Sequence, residues 1–221
     1  MAKDSMAKDS MTADSMIAPS RAPFRVLLLY AAFFLSGLAA LVYQLLWQRS
    51  LFTLFGSSSE SVTLVVTAFM LGLGLGGLAG GALSRRLPQR LPLLFSAAEL
   101  CIGAFGLVSL PLFHWVATFT AEASPVEVGF IAFALLLVPT VLMGATLPIL
   151  VTWAVQQTSN VGRSVGMLYF VNTLGAAIGA FACAFVLFGA LGQRASLGVA
   201  AGINFTVGAA LLLQHLTRKR A

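Results

Sequence analysis

Residues 69–86 read FMLGLGLGGLAGGALSRR, and this stretch decides which kind of fold the chain adopts. It contains Gly72-x-Gly74-x-x-Gly77, the spacing of a dinucleotide-binding turn, and Glu99 follows at about the interval where such folds place a ribose-binding acid. The alternative is that the glycines lie on a membrane helix, where small residues let neighbouring helices approach closely. The composition of the surrounding chain separates these two interpretations.

The composition is that of an integral membrane protein. Of the 221 residues, 59% are hydrophobic and only 9% are charged, and the mean hydropathy is +0.95. A soluble domain carries charge on roughly a quarter of its residues. The sequence therefore predicts an all-α protein embedded in a bilayer, because a chain in lipid must satisfy its backbone hydrogen bonds internally.

Six apolar runs are long enough to cross a bilayer core, which takes about 20 helical residues. We predict one transmembrane domain over residues 21–217, preceded by a disordered polar segment at 1–20 and followed by a basic tail at 218–221. The predicted spans are 26–47, 61–83, 92–116, 128–154, 165–189 and 196–216.

The distribution of lysine and arginine predicts the orientation of these spans. Eleven of the thirteen lie on the side of the N-terminus, and two, Arg49 and Arg194, lie on the other. Positive charge accumulates on the cytoplasmic side, so we expect both termini to be cytoplasmic and the protein to lie in the cell membrane. The cations stand at the ends of apolar runs and form no single basic face, which argues against a nucleic-acid partner despite a net charge of +6.

The glycines of the opening stretch are then predicted to be packing surface. A dinucleotide turn needs a preceding strand and free amides at a helix start, and a continuous apolar helix offers neither. Gly72, Gly76 and Gly80 form one row at i+4 spacing, and Gly77 and Gly81 form a second. Two such rows predict a centrally packed helix, and small-residue faces of this kind suit contact with a protein partner or a second copy of the chain.

Four stretches resemble the membrane region of the fused MFS/spermidine synthase family, which is similar to one half of a major facilitator superfamily transporter. They are SGLAALVYQLLWQRSLFTLFGSSSES, TAFMLGLGLGGLAGGALSRR, PTVLMGATLPIL and GRSVGMLYFVNTLGAAIGA, and the resemblance spans about residues 33–210. It implies a half-transporter-like bundle of six helices. Family members commonly also have a cytoplasmic Rossmann-like domain that resembles an aminopropyltransferase and binds decarboxylated S-adenosylmethionine.

This chain departs from the family in that respect, because it ends at QHLTRKRA just after the sixth predicted span. We therefore expect no cofactor and no spermidine synthase activity from it. Outside the N-terminal segment its acidic residues are few, and none falls in a soluble domain. They are Glu60, Glu99, Glu122 and Glu127.

Glu99, in FSAAELCIGAF, is the most informative single residue. A charge at the centre of a membrane helix costs about 2.5–3.5 kcal/mol on insertion scales, so this carboxyl needs a partner, a water-filled cavity or a proton. One interpretation is a group that binds a proton or a cation. The other is a structural hydrogen bond or ion pair that sets the register between helices.

Other polar residues within the spans are candidates for a ligand-binding cavity lined by the first and fifth helices. They are Tyr43, Gln44, Asn172 and Thr173. Interhelical hydrogen bonds are the alternative role for such residues. Arg49 is either an interfacial anchor beside Trp47 or a group that binds an anion or a buried acid.

The fourth predicted span contains Pro139 and Pro148, which are expected to kink it because proline removes a backbone donor. Transporters use broken helices to expose carbonyl groups, although prolines also occur in membrane helices that merely bend. The sequence shows no catalytic constellation, and His114 and His215 lack the spacing of metal ligands, so we expect no metal site.

Two hypotheses of function follow from these residues. The first is a non-catalytic membrane module that anchors or completes a larger assembly, with a spermidine-synthase-like enzyme as one candidate partner. The second is a transporter of polyamines or other organic cations that works as a dimer of six-helix units, with Glu99 as the ion-binding group.

Overall fold

The computed structural model describes residues 22–55, 58–120 and 122–220; apart from short turns these residues are helical, with no strand among them. The helices are α1, Ala22–Phe55; α2, Ser58–Arg86; α3, Leu91–Phe119; α4, Pro125–Thr158; α5, Val161–Ala182; and α6, Phe188–Arg220. A π-helical turn, Cys183–Leu187, joins α5 to α6. The predicted disordered segment at 1–20 lies outside the described residues, and α6 extends into the predicted basic tail.

Five helical segments in the described part of the chain are long and apolar enough to cross a membrane. Four of them correspond to α1–α4. The fifth runs from Val161 to Thr217 and covers both α5 and α6, where the sequence predicted two separate spans. Within it, Gly192 has φ 72° and ψ 177°, which interrupts the helical geometry in a conformation that is essentially restricted to glycine.

Local sequence explains where the helices begin. Ser124 precedes α4 and forms a capping box: its Oγ accepts a hydrogen bond from the backbone N–H of Glu127, whose carboxylate accepts one from the backbone N–H of Ser124 at 2.8 Å. Asn160 caps α5 by accepting from the backbone N–H of Arg163 at 2.9 Å. These caps satisfy amides that the first helical turn leaves without intrahelical partners.

α1 is the central helix of the bundle, because it packs against each of the other five helices. The two glycine rows predicted that α2 would lie at the centre of the bundle. The structure instead packs α2 mainly on α4, with a smaller contact on α1. α2 therefore lies at the edge of the bundle and presents much of its surface outward.

The glycine rows of α2 explain that placement. A Cβ atom added at Gly72, Gly76 or Gly80 would lie 2.0 to 2.5 Å from atoms of α4, so this row lies directly against that helix. A Cβ at Gly77 would meet nothing within 4 Å, and one at Gly81 would meet no other helix. One row is therefore an interhelical contact, and the second is not: Gly77 lines an open cleft, where an added Cβ has space.

α4 continues as a helix through both Pro139 and Pro148. Hydroxyl groups beside the prolines bond to carbonyls of the same helix, as Thr140 does to Leu136 at 2.8 Å and Thr152 does to Pro148 at 2.8 Å. Helical φ and ψ angles are lost inside α6, at Gly192, whereas a bend of α4 at the two prolines stays a prediction.

Two hydrophobic clusters divide the core along the bundle. One includes Tyr43 and Trp47, and the other includes Phe33 and Phe95. In α1, α3 and α6 a buried polar residue stands in sequence between the members of the two clusters. These residues are Ser36, Glu99 and Asn204. A thin polar layer thus separates two apolar regions inside the bundle.

Candidate functional site

The carboxyl group of Glu99 is the centre of this polar layer. Its side chain is fully buried, with 0% of its surface exposed. Ser36 on α1 donates from Oγ to Oε1 of Glu99 at 2.6 Å, and Asn204 on α6 donates from Nδ2 to Oε2 at 2.6 Å. One carboxyl group therefore links three helices, with one donor for each of its oxygens.

No cation accompanies this carboxyl in the described part of the chain, since no arginine or lysine there forms an ion pair with it. The guanidinium of Arg49, which is near the end of α1, lies elsewhere, over the ring of Phe188. An ionised carboxylate buried in an apolar interior is costly unless it is paired or strongly hydrogen-bonded. Among the described residues, the Glu99 carboxyl receives hydrogen bonds from the neutral side chains of Ser36 and Asn204.

Three buried polar atoms near this layer have no hydrogen-bond partner among the described residues. They are the hydroxyl of Tyr43, Oγ of Ser96 and Oδ1 of Asn204. Asn204 and Ser96 belong to the Glu99 cluster by position, because Asn204 bonds Glu99 directly and Ser96 precedes it by one helical turn. Buried polar atoms of this kind in membrane and soluble proteins are usually satisfied by ordered water molecules.

A cleft of about 420 Å³ adjoins the same layer. Its walls come from α1, α2, α4 and α5, and its polar lining consists of Ser36, Gln44, Thr146, Tyr169 and Asn172. Ser36 thus belongs both to the cleft and to the hydrogen-bond cluster around Glu99. Any group that binds Ser36 from the cleft is one hydroxyl away from the buried carboxyl.

The hydrogen bonds already made inside the cleft determine what it can still bind. Ser36 gives its proton to Glu99, Thr146 gives its own to the carbonyl of Met143 at 2.6 Å, and Asn172 donates through Nδ2 to the carbonyl of Phe33 at 3.1 Å. The hydroxyl oxygens of Ser36 and Thr146 can therefore still accept hydrogen bonds, and so can the side-chain oxygen of Asn172. A bound group can therefore donate to Ser36 and Thr146, whereas Asn172, Gln44 and Tyr169 have groups that both donate and accept.

The structure separates the residues that the sequence grouped into one candidate cavity. Gln44 and Asn172 line the cleft, whereas Glu99 lies behind Ser36 and Tyr43 is closed in the core. Tyr43 stacks on Trp47 with ring centroids 5.0 Å apart, and an added Cβ at Gly106 would lie 2.4 Å from the Tyr43 ring. The ring therefore packs directly on the backbone of α3.

Thr173 is exposed on the outer face of α5 and lines none of the clefts described here. Ser36 was missed by sequence reasoning, although it is the residue that connects the cleft to Glu99. A lone serine beside glycine in an apolar helix resembles ordinary packing, so its sequence context contained no signal for this role. Among the described residues, no group of three or more histidine, cysteine or acidic side chains could hold a metal ion.

Comparison with known proteins identifies one similar protein of known activity. The chain is 29% identical over 211 residues to polyamine aminopropyltransferase 2 of Streptomyces coelicolor, and the match covers 91% of this chain but 38% of that protein. The chain thus spans well under half the length of this relative. No family model matches the chain. No solved structure matches it either.

Proposed function

We propose that this chain is a membrane module that anchors or completes an assembly with an aminopropyltransferase-type enzyme. The observation that carries the proposal is the similarity of nearly the whole chain to a minor part of a polyamine aminopropyltransferase. The apolar helices and the absence of any catalytic constellation among the described residues support the same role. The bundle would hold its enzyme partner at the membrane and take no part in aminopropyl transfer itself.

The direct test is to isolate the tagged protein from its native membrane in a mild detergent and measure the mass and subunit composition of what co-purifies. We expect a partner with aminopropyltransferase activity in a fixed ratio. A tagged multi-pass membrane protein of similar size is the control for adventitious association. Recovery of the chain without such a partner, from membranes whose aminopropyltransferase activity does not depend on it, would overturn the proposal.

We further propose that the chain crosses the membrane six times, with both termini on the cytoplasmic side. At about 1.5 Å per residue, the 57-residue segment Val161–Thr217 would be about 85 Å long as one straight helix, nearly three times a bilayer core. A turn at Gly192 divides it into two spans of suitable length. Six crossings agree with the half-transporter arrangement that the resemblance implies.

The direction of packing supports this topology. α5 runs parallel to α1, because Gly175 lies against Phe34 and Cys183 against Val42. α1 runs parallel to α3, as the Ser36–Glu99 and Trp47–Ser109 hydrogen bonds require.

α6 runs antiparallel to α3, because Asn204 bonds Glu99 whereas Gly208 lies against Ser96. It follows that α5 and α6 run in opposite directions.

Labelling with a membrane-impermeant maleimide tests the topology on a background in which Cys101 and Cys183 are replaced by alanine. Single cysteines at residues 90 and 159 should label from the cytoplasmic side, and those at 122 and 194 from the opposite side. A cysteine at 194 that labels from neither side would contradict a turn at Gly192. Labelling of 90 and 159 from outside would contradict the orientation.

A second candidate function is binding and transport of an organic cation such as a polyamine. The acceptor groups of the cleft favour it, because an ammonium group can donate to Ser36 Oγ while that hydroxyl still donates to Glu99. The chain of hydrogen bonds would place the ligand's charge one side chain away from the carboxyl. As a transporter, the chain would act as a dimer of six-helix units.

Uptake of labelled polyamine into proteoliposomes tests this second candidate. We expect uptake in the wild type and its loss in Glu99→Gln. Ser109→Ala is the matched control, since it removes a buried α3 hydroxyl that bonds Trp47 and lies outside the cleft. Absence of uptake by folded wild-type protein under an imposed gradient would eliminate transport and leave the anchoring proposal untouched.

A further inference from the structure

The end of the bundle at which α1 finishes contains a second cleft, of about 570 Å³, that has no part in the Glu99 cluster. Its walls come from the last turns of α1, the start of α2 and the region where the π-helical turn meets α6. Leu45, Phe52 and Phe188 supply apolar surface, whereas Gln48 and Arg49 supply polar groups. The cleft is therefore amphipathic, with one formal charge in its lining.

The Arg49 side chain is held in place without being neutralised. Its guanidinium carbon lies 3.8 Å from the centroid of the Phe188 ring, a cation–π contact. Within the described residues, no carboxylate forms an ion pair with it and no side chain or backbone group accepts a hydrogen bond from it. A stacked guanidinium keeps the N–H groups at its edge free to donate. Arg49 thus presents an oriented and unpaired cation.

The wall that carries Phe188 is fixed to α1 by hydrogen bonds. Gln193, one residue after the interruption at Gly192, donates through Nε2 to the carbonyl of Leu46 at 3.0 Å and also to Oγ of Ser50. The π-helical turn that precedes Phe188 adds a widened helical turn of the kind often found at functional sites. The position of the ring beneath Arg49 is therefore built into the junction between α5 and α6.

Arg194 shows what an ordinary interfacial arginine looks like in the same region. Like Arg49 it is exposed, but among the described residues no aromatic ring lies against its guanidinium, and it does not line the cleft. Arg49 differs in having an aromatic platform, an apolar wall and a cavity in front of its donors. A snorkelling anchor requires none of these features.

We propose that this cleft, defined by Arg49, Gln48, Leu45, Phe52 and Phe188, is a binding site for a phosphate oxyanion. A guanidinium fork matches two oxygens of a phosphate group, and such charge-assisted bonds are among the strongest hydrogen bonds in proteins. The apolar walls accommodate a hydrocarbon portion attached to the phosphate. Both the phosphodiester of a lipid headgroup and a free phosphate have the required chemistry.

Purified protein in a non-ionic, phosphate-free detergent allows the two sources to be distinguished. Short-chain phosphatidylglycerol is the lipid probe, diacylglycerol with the same chains is the phosphate-free control, and inorganic phosphate is the free anion. Native mass spectrometry counts the lipid molecules that the protein retains, and calorimetric titration measures the binding of inorganic phosphate. Retention of phosphatidylglycerol alone assigns a lipid headgroup, whereas binding of inorganic phosphate as well assigns a free phosphate group.

Two substitutions locate the site. Arg49→Gln is expected to weaken binding of the retained probe about tenfold or more, and Arg49→Lys to weaken it less, because lysine keeps the charge and loses the fork. Arg194→Gln, the matched control, should leave binding unchanged. The fold of each variant is first checked by comparing its elution volume in size-exclusion chromatography with that of the wild type. If Arg49→Gln does not fold, the result for Arg49→Lys is used instead.

Two results would overturn the proposal. One is equal retention of diacylglycerol and phosphatidylglycerol together with no binding of inorganic phosphate. The other is an equal loss of binding in Arg194→Gln and the Arg49 variants. Neither result bears on the enzyme partner or on polyamine uptake, because this cleft shares no residue with the Glu99 cluster.

Discussion

Ser36 on α1 and Glu99 on α3 are joined by a hydrogen bond of 2.6 Å at a point where both side chains are buried. With Asn204 on α6 bonding the other carboxyl oxygen, α3 is tied both to the central helix α1 and to α6 within one polar layer. Interhelical hydrogen bonds in membrane proteins stabilise by about 0.6 kcal/mol on average and about 1.7 at most. The two hydrogen bonds to Glu99 therefore contribute more to fixing the register between these helices than to the total stability of the protein.

Glu99→Gln is expected to preserve the fold at a cost of about 1 kcal/mol, within the range for one interhelical bond. The glutamine amide has nearly the same shape as the carboxyl group. Its NH₂ group replaces one oxygen, so one of the two residues that donate to Glu99 must accept a hydrogen bond instead. The unpartnered Oδ1 of Asn204 can do so after an amide flip. Glu99→Ala should cost more, about 2–4 kcal/mol, because it leaves two buried donors unpaired and creates a cavity.

Unfolding of both Glu99 variants in bicelles measures the difference in free energy. Ser36→Ala, which removes one donor and leaves the carboxyl in place, provides the reference for a single lost bond. Equal destabilisation by glutamine and alanine at this position would show that shape and hydrogen bonding at Glu99 do not support the fold.

Gly76→Ala and Gly77→Ala should differ in their effect on stability although the two residues are adjacent. An added Cβ at Gly76 would lie 2.1 Å from the carbonyl oxygen of Val141, so α2 and α4 must move apart. We expect a loss of about 1–3 kcal/mol, as in overpacked cores.

At Gly77 the space is open, and alanine should be neutral or stabilise by up to about 1 kcal/mol through its higher helix propensity. Thermal unfolding of the two variants in one detergent gives the comparison. A loss at Gly77 as large as at Gly76 would indicate that the second glycine row is also covered, for example by another copy of the chain.

Tyr43→Phe is expected to be neutral or to stabilise the protein by up to about 1 kcal/mol. The Tyr43 hydroxyl is buried without a hydrogen-bond partner among the described residues, so its removal relieves a desolvation cost. Trp47→Phe is the contrasting change, because the Trp47 indole donates to Ser109 Oγ at 3.0 Å and that bond would be lost. Equilibrium unfolding of the two variants tests the difference. Marked destabilisation by Tyr43→Phe would instead reveal a water molecule or ligand bonded to that hydroxyl.

Gly192→Ala is expected to destabilise the junction between α5 and α6 by about 1–3 kcal/mol, because φ 72° with ψ 177° is strained for any residue with a Cβ atom. Gly189→Ala is the control: it lies in the same helix, and an added Cβ there meets nothing within 4 Å. Hydrogen exchange at Gln193 and its neighbours should increase in the first variant and stay constant in the second. Equal exchange in both would mean that Gly192 does not need its left-handed conformation.

The first four predicted helices are present in the structure and differ from the prediction mainly at their ends, whereas the fifth and sixth predicted spans fall within one continuous segment, Val161–Thr217. The first span was predicted at 26–47, whereas α1 is Ala22–Phe55, and the second at 61–83, whereas α2 is Ser58–Arg86. Hydropathy locates the part of a helix that lies in lipid, but capping groups and polar final turns extend the helix beyond it. The ends of these helices therefore lay beyond what the apolar pattern could predict.

The sequence by itself determined that the chain is a bundle of apolar helices and that Glu99 needs partners, because both follow from the cost of polar groups in lipid. Only the tertiary structure decided which partners those are. Tyr43 and Gln44 are neighbours in sequence, yet about 100° of helical rotation places one in the core and the other in the cleft. Which side of α1 faces which helix depends on contacts between residues that are far apart in sequence. Those contacts cannot be predicted from the composition of the chain or from the spacing of its residues.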